Sequence, residues 1–366
     1  MPSGRTSANT ESVSPDFYRA IYNFKGSPDG SSPSGKLISV NGTLYGTTAL
    51  GGTSSQAGTV FTVTTAGIEN VIHVFGSAGD GAQPEAGLTS LDGTLYGTTS
   101  TDSNGGCGVV FSISPEGVEN VIHQFFGSPD GCQPYAPVIA VNGRLFGTTE
   151  HGGAGSGRYG TVYRVTTSGV EKVLHSFKKI PDGAIPTAGL VNVNGTLYGT
   201  TFSGGANSDG TVFTRTATGG VNVLYSFKGG SDGQYPAGGL VGLNGTLYGT
   251  TVSGGVGNGT VFSITPAGVE NVIYSFKGNP DGAVPLGDLA VKSGLLYGVT
   301  LDGGNACRKC GTVFKITTTG VESVVHTFAG RNDGKSPYGG LVNVGGKLYG
   351  TTLAGGAYSN GIVFVI

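Results

Sequence analysis

The chain has 366 residues, including 71 glycines and 16 prolines, while only 11% are charged and the formal net charge is −2. No basic run or stripe is present, which argues against nucleic acid as a partner, and no apolar run approaches the ~18 residues of a membrane-spanning helix. The segment from Met1 to Val13 is polar and lacks the apolar core of a signal peptide.

Residues 1–16 are rich in serine, threonine and asparagine and have little to bury, so we expect a disordered polar tail. From residue 17 to 366 one pattern returns at a nearly fixed spacing, which predicts a single repeat domain.

The segment Asn41-Gly-Thr-Leu-Tyr-Gly-Thr-Thr48 is the clearest unit of this pattern, and seven versions of it occur. Their leucines are 51, 50, 52, 50, 49 and 52 residues apart. These leucines are Leu44, Leu95, Leu145, Leu197, Leu247, Leu296 and Leu348. Self-similarity at about 50 residues is typical of repeat architectures such as propellers.

Each repeat predicts four strands, which we call a, b, c and d. Strand a covers Leu37 to Val40, and the Asn-Gly dipeptide after it favours a two-residue hairpin turn into strand b, Leu-Tyr-Gly-Thr-Thr. A glycine-rich loop leads to strand c, Gly58 to Val63. Strand d, Val71 to Phe75, alternates β-branched and aromatic residues as strands do. A loop of the form Asp-Gly-x-x-Pro then leads to the next strand a.

The two ends of the repeat region complement each other. The chain ends on a c strand, Gly361 to Ile366, without a d strand, whereas a d-like segment, Ala20 to Phe24, precedes the first full repeat. Pairing the two completes seven sets of four strands and removes a sheet edge. We therefore predict an all-β, seven-bladed β-propeller with four antiparallel strands per blade, closed by the N-terminal strand. A parallel β-solenoid is the alternative, but its repeats are shorter and it needs no complementary ends.

The ordered motifs Asn-Gly-x-Leu-Tyr-Gly-Thr-Thr, Gly-Gly, Gly-Thr-Val-Phe and Phe-x-Gly-x-x-Asp-Gly-x-x-Pro closely resemble the bacterial tandem repeat called GloVer, named from Gloeobacter and Verrucomicrobia. The resemblance spans Ile21 to Ile366. It implies a surface or secreted propeller, although no anchor is visible here. It implies no set of catalytic residues.

Polar residues that return in every blade are first of all structural. The aspartate of each Asp-Gly-x-x-Pro loop is expected to bond its own loop backbone, because one carboxylate per loop is too few for a cation. Four histidines share one d-strand position with tyrosines, which predicts a flat ring whose polar tip has a local partner. These histidines are His73, His123, His175 and His326. No metal site or cofactor is predicted.

The irregular loops of the second and third blades are the best candidates for chemistry. They lie on the face that carries the b–c and d–a loops, where binding sites on rigid scaffolds usually occur. The candidate catalytic residues are Glu85, Asp102, Glu150 and His151. The candidate ligand-binding residues are Tyr135, Arg158 and Tyr159, with Asp302, Arg308 and Lys309 in a second irregular loop.

Carboxylates with a histidine and an arginine could perform acid–base chemistry on a sugar chain. The same residues could bind a sugar through hydrogen bonds and a stacked tyrosine, or they could be ordinary solvated loop variation.

Four cysteines are present, and two of them form Cys307-Arg-Lys-Cys310. Zinc would need two further ligands that do not recur nearby, and a redox CxxC motif would begin a helix that is not predicted. Structural disulfides remain, and a Cys107–Cys132 bridge is sterically reasonable because both residues belong to the same face.

We interpret the sequence as a secreted or cell-surface monomer whose loop-rich face binds a carbohydrate or another cell-surface polymer. One alternative is a polysaccharide hydrolase or lyase that uses Glu150 and His151. Another is a protein-interaction scaffold.

Overall fold

The computed structural model describes residues 17–52, 55–114, 116–216, 219–307 and 309–366. Seven antiparallel sheets, each with strands in the order a, b, c, d, form a seven-bladed β-propeller. The predicted fold class is confirmed. The predicted disordered tail, residues 1–16, lies outside the described residues.

We number the blades from 1 to 7, beginning with the strand a that follows Leu37. The a strands are Ile38–Val40, Thr89–Leu91, Ile139–Val141, Val191–Val193, Val241–Leu243, Ala290–Lys292 and Val342–Val344. The b strands are Thr43–Thr48, Thr94–Thr99, Arg144–Thr149, Thr196–Thr201, Thr246–Thr251, Leu295–Thr300 and Lys347–Ala354. The c strands are Thr59–Val63, Val109–Ile113, Thr161–Thr166, Thr211–Arg215, Thr260–Ile264, Thr312–Ile316 and Ile362–Val365. The d strands are Glu69–Val74, Glu119–Gln124, Glu171–Ser176, Val221–Ser226, Glu270–Ser275, Glu322–Thr327 and, in blade 7, Arg19–Asn23.

Three short strands and two 3₁₀ turns supplement the blades in the loops. Gly81–Ala82 pairs with Thr101–Asp102, and Lys335–Pro337 pairs with the long b strand of blade 7. The 3₁₀ turns are Gly230–Asp232 and Arg331–Asp333.

The a–b turns have the geometry that the sequence predicted. Asn41 and Gly42 both adopt positive φ, at 51° and 81°, and Asp92 and Gly93 repeat this at 51° and 82°. Two consecutive positive φ values define the hairpin turn whose twist matches that of the flanking strands.

Neighbouring blades meet at seams, and an aromatic pair crosses each of the seven. Across the seam between blades 7 and 1, the rings of Phe24 and Phe61 are 4.9 Å apart and inclined by 72°. The other pairs have centroid distances of 5.0–5.3 Å and are Phe75–Phe111, Phe125–Tyr163, Phe177–Phe213, Phe227–Phe262, Phe276–Phe314 and Phe328–Phe364. Edge-to-face geometry adds ~0.5–1.5 kcal/mol per pair to the burial of the rings.

The glycine of each b strand makes room for one ring of this pair. A Cβ on Gly46 would lie 2.6 Å from Cζ of Phe61, and one on Gly147 would lie 2.5 Å from the hydroxyl oxygen of Tyr163. The glycine thus allows a close approach between strand b and the aromatic ring of strand c.

The Thr-Thr pair that ends strand b has two different roles. In blades 1 to 4 the first hydroxyl reaches the next blade: Thr47 donates to the carbonyl oxygen of Ala86 at 2.8 Å, and Thr98 to that of Ala136 at 3.0 Å. The second hydroxyl, on Thr48, lies 2.8 Å from that of Thr59 on strand c. These buried bonds link blades near the propeller axis and strands within a blade.

The N-terminal strand closes the ring as predicted. Arg19 pairs with Val365, Ala20 with Phe364, and Asn23 with Ile362 in antiparallel register. Phe24 is fully buried in a cluster that contains residues of blades 7 and 1, among them Val363 and Phe61.

Replacing Phe24 by alanine should therefore destabilise the closure of the ring. Truncation of a buried phenylalanine costs about 3–5 kcal/mol because contacts are lost and a cavity remains. Urea unfolding should show this loss for Phe24→Ala and almost none for the control Phe17→Ala, whose side chain is 72% exposed. Equal stability of the two variants would contradict the role assigned to the closing strand.

A polar triad also lies at each of five seams, where a d-strand glutamate meets the loop aspartate and the d-strand ring of the preceding blade. Tyr225 donates to Asp232 at 2.7 Å, and Glu270 of the next blade lies beside them. Burial, followed by the negative charge of Asp232, raises the pKa of Glu270 to about 8, although Tyr225 and Lys228 oppose the shift.

The raised pKa of Glu270 makes the fold less stable as the pH rises. The folded state holds a proton that the unfolded state loses near pH 4.5, so this contribution is present below that pH and is lost as the pH rises to about 8. Glu270→Gln should therefore gain stability relative to the parent between pH 5 and 8, measured by urea unfolding across that range. The exposed control Glu116→Gln should not; an unchanged pH profile for Glu270→Gln would refute the assignment.

Candidate functional site

A cavity of about 300 Å³ opens at the centre of the loop-rich face. Its wall is formed mainly by the d–a loops, just before each chain segment enters strand a. The position directly after the loop proline differs in every blade except for a repeated tyrosine. These residues are Ser34, Glu85, Tyr135, Thr187, Ala237, Leu286 and Tyr338, and all seven line the cavity. The repeat therefore supplies a fixed frame, and this variable position contributes one side chain from each blade to the cavity wall.

Two carboxyl groups share one side of the cavity. Glu85 comes from the d–a loop before blade 2, and Glu150 directly follows strand b of blade 3. Burial raises the pKa of both groups. The hydroxyl of Ser100 lowers the pKa of Glu85, whereas the charge of Glu150 raises it further. The two carboxyls are thus electrostatically linked, and protonation of one favours ionisation of the other.

Two tyrosines flank these carboxyls. The pKa of Tyr135 and that of Tyr338 are raised, first by burial and then by the negative charges of Glu85 and Glu150. Both phenols therefore remain neutral hydrogen-bond donors at physiological pH. Tyr135 precedes blade 3 and Tyr338 precedes blade 7, so ring closure brings together residues that are far apart in sequence.

A cation and a third carboxylate lie on another part of the wall. Lys36 Nζ is 3.6 Å from Asp288 Oδ2, and Asp288 also accepts the backbone N–H of Gly239 at 2.7 Å. Since both charged side chains are about one-third exposed, the pair contributes little to stability. It does place a positive charge at the rim of an otherwise acidic cavity.

The sequence-predicted candidates separate into two groups. Glu85, Tyr135 and Glu150 meet in the cavity, but His151 and Asp102 do not line it. His151 is exposed, with Nε2 3.7 Å from Glu150 Oε1, and its charge lowers the pKa of that glutamate.

Asp102 is 8% exposed and organises its own loop. It accepts the N–H groups of Asn104 and Gly106, both at 2.8 Å, and the side-chain amide of Gln124 at 2.9 Å. These bonds, above all that from Gly106, lower its pKa. Both carboxylate oxygens thus already accept hydrogen bonds, and a catalytic role for Asp102 stays a prediction.

The remaining candidates lie farther out in the loops. Arg158 is exposed, whereas Tyr159 packs against the buried cluster that contains Val162 and Phe177. Asp302 and Lys309 form backbone bridges with Ala283 and Gly303, and neither lines the cavity. Arg308 lies outside the described residues.

Sequence reasoning missed Tyr338, Lys36 and Asp288. The signal was present in the alignment of the repeats with one another, because all three occupy the short segment between the loop proline and strand a. Irregular loop length was the feature that drew attention to blade 3 instead.

Both predicted disulfides are present. Cys107 is bonded to Cys132 with an S–S distance of 2.08 Å and a Cα–Cα distance of 4.4 Å, and Cys307 is bonded to Cys310. The first bridge fastens the start of strand c in blade 2 to the following d–a loop, next to the segment that carries Tyr135.

The repeated motifs and the closed ring can be compared with known proteins. A family model described as the Gloeobacter/Verrucomicrobia repeat matches residues 11–158 and 153–364. The chain belongs to this repeat family. The resemblance recognised from the motifs is thus confirmed. A comparison with curated proteins gave no match.

Several solved structures share the propeller fold with this repeat protein at low identity. A GH74 xyloglucanase from Xanthomonas campestris is 13% identical with a TM-score of 0.56, and the alignment covers 95% of this chain and 55% of that one. An ancestral GH74 enzyme is 12% identical with a TM-score of 0.57, and the alignment covers 92% of this chain and 48% of that one. A puromycin hydrolase is 11% identical with a TM-score of 0.54, and the alignment covers 88% of this chain and 50% of that one. The chain spans about half the length of these three proteins, and the likeness concerns the fold alone.

Within the described part of the chain, no helix has the length and apolar character needed to cross a membrane.

The electrostatic link within the cavity can be measured directly. Glu150→Gln should lower the pKa of Glu85, because it removes a neighbouring negative charge but keeps the shape of the side chain. Carboxyl ¹³C chemical shifts recorded against pH report that pKa. Glu270→Gln, at a distant seam, serves as the control and should leave it unchanged. If the pKa of Glu85 is the same in the parent and in Glu150→Gln, the two carboxyls titrate independently.

Proposed function

We propose that this protein binds a carbohydrate, or a similar polyhydroxylated cell-surface polymer, in the central cavity of its loop-rich face. The observation that carries the proposal is the meeting of Glu85, Glu150, Tyr135 and Tyr338 at the positions where otherwise similar blades differ.

These groups suit a polyhydroxylated ligand. Carboxylates accept hydrogen bonds from sugar hydroxyls, and neutral phenols both donate and accept them. The tyrosine rings also offer apolar faces for the C–H groups of a pyranose. A cavity of about 300 Å³ is at the small end of ligand sites, which favours the end of a chain or one short segment.

The rest of the molecule fits a role outside the cytoplasm. Two disulfides among four cysteines are typical of an oxidising compartment. We further propose that the protein acts as a secreted or surface-exposed monomer, because the seven blades already close the ring without a partner. One central cavity implies one ligand per chain and not one per blade.

Binding can be tested by screening the protein on a glycan array and titrating the best ligand calorimetrically. Tyr135→Ala and Tyr338→Ala should each weaken binding by about tenfold, because each removes a phenol hydrogen bond, which contributes about 0.5–1.5 kcal/mol, together with the contact of the ring. Tyr358→Ala is the matched control, since Tyr358 is 56% exposed in a b–c loop of the same face.

A stoichiometry near one and the loss in both cavity variants would support the proposal. A stoichiometry near seven would place binding on the repeated loops. A blank array, together with capture of one defined protein by the intact face, would favour the scaffold function.

One observation favours a second candidate, a polysaccharide hydrolase or lyase. Glu85 and Glu150 have raised pKa values in one cavity, and such a pair can divide the roles of general acid and general base. If the protein is an enzyme, Glu85→Gln and Glu150→Gln should abolish turnover while the melting temperature stays nearly constant. If His151 orients Glu150, His151→Ala should shift the pH profile of the reaction. Unchanged turnover in both glutamine variants would exclude this pair.

A further inference from the structure

Two of the seams hold a histidine and two carboxylates whose ligand atoms face one another. At the seam between blades 1 and 2 these residues are His73, Asp80 and Glu119, and at the seam between blades 2 and 3 they are His123, Asp130 and Glu171. Within each group one nitrogen and two carboxylate oxygens lie within 4.8 Å of one another. Among the described residues, these are the groups whose spacing could enclose a metal ion.

The other seams provide five internal comparisons. Three have tyrosine in place of histidine, and its hydroxyl donates to the loop aspartate, as Tyr274 does to Asp281 at 2.9 Å. Two keep histidine but lack the glutamate: Val221 takes its position next to His175, and Tyr18 takes it next to His326, on whose ring it stacks at 3.6 Å. Histidine and glutamate thus occur together at only two of the seven described seams.

The histidine–aspartate distances at these two seams are the longest of the four, although the differences are small. At the seams without glutamate, His175 Nε2 lies 2.8 Å from Asp182 Oδ2 and His326 Nε2 lies 3.2 Å from Asp333 Oδ1. His73 Nε2 lies 3.4 Å from Asp80 Oδ2, and His123 Nε2 lies 3.3 Å from both oxygens of Asp130. Two tetrahedral ligands that are each about 2.0–2.2 Å from a zinc ion are separated by about 3.3–3.5 Å.

Several of the facing atoms lack partners. His73 Nε2 and the Oε1 atoms of Glu119 and Glu171 are shielded from solvent and have no hydrogen-bond partner among the described residues. The Oε1 atom of the glutamate is also unpartnered at the three tyrosine seams, whereas among the described histidines such a nitrogen is found only at His73. The aspartates are held in place by their own loops: Asp80 accepts the backbone N–H groups of Gly76 and Gly81, and Asp130 accepts that of Phe126. Such outer bonds orient a carboxylate toward a metal.

We propose that each of these two seams binds a divalent first-row transition-metal ion through the histidine Nε2, the loop aspartate and the glutamate of the following blade. One imidazole and two carboxylates suit zinc, and three protein ligands leave a fourth position for water. The ligands come from two consecutive blades, so the ion would fasten the blades together at their outer strands. This proposal does not depend on ligand binding in the central cavity.

The test uses the full chain, stripped with a chelator and dialysed against Zn²⁺, with bound zinc counted by elemental analysis and affinity measured by calorimetry. The parent should bind two Zn²⁺ per chain and melt at a higher temperature when loaded, because a ligand of the folded state stabilises it. Glu119→Val should lower the stoichiometry to one, and Glu119→Val with Glu171→Val should remove both ions. Valine already occupies this position in blade 4.

Three further variants control for misfolding and for nonspecific zinc binding. His73→Tyr with His123→Tyr recreates the ring that three other seams carry, so it should remain folded and bind no zinc at the seams. His175→Tyr is the matched control and should still bind two ions. Val221→Glu should add the missing ligand beside His175 and Asp182 and raise the stoichiometry to three.

Two results would overturn the proposal. One is a parent that binds no Zn²⁺ at micromolar concentration. The other is a zinc stoichiometry that stays the same in the folded double-tyrosine variant, which would assign the ions to other residues.

Discussion

The aromatic pair across each seam is the contact on which the other features depend. A ring on strand c, such as Phe61, can reach the ring of the preceding blade only because the adjacent b strand has a glycine where any Cβ would collide with it. The glycine weakens its own strand by losing more backbone entropy, but the buried ring offsets that loss. This contact between glycine and ring occurs in all seven blades. It positions the seven d–a loops around one axis, and the cavity results from that arrangement.

Repetition explains which parts of the structure could be predicted from the sequence. The strands and hairpin turns follow from local patterns that occur seven times, and chance does not explain a pattern that recurs so often. The pairing of Arg19–Asn23 with the last c strand follows because the last repeat has no d strand of its own. The polar tips of the d-strand rings were also expected to find a local partner. The structure identifies that partner as the loop aspartate seven residues later, as in Tyr22 and Asp29.

What escaped prediction are contacts that cross a seam or the axis. Glu119 meets His73 and Asp80 only because consecutive blades stack, and Tyr338 meets Glu85 only because the ring closes. Neither relation produces a pattern along the chain. Asp102 illustrates the opposite case: it belongs to an irregular loop, which suggested function, yet its carboxylate bonds Asn104 and Gly106 within that same loop. The irregular sequence of this loop therefore reflects hydrogen bonding within the loop.

The comparison of blades with one another separates frame from function better than residue type does. Residues that recur in each blade serve the frame first: the loop aspartates accept backbone N–H groups, as Asp80 and Asp281 do, and threonines such as Thr47 bond the neighbouring blade. Positions that change from blade to blade are not needed for these structural bonds. The segment after each loop proline changes most and faces the axis, while the ring and glutamate positions at the seams change only among a few residues. Variation after the loop proline shapes one asymmetric cavity in a symmetric scaffold. Variation of the ring and glutamate positions determines which seams are joined by hydrogen bonds alone and which carry the ligands for an ion.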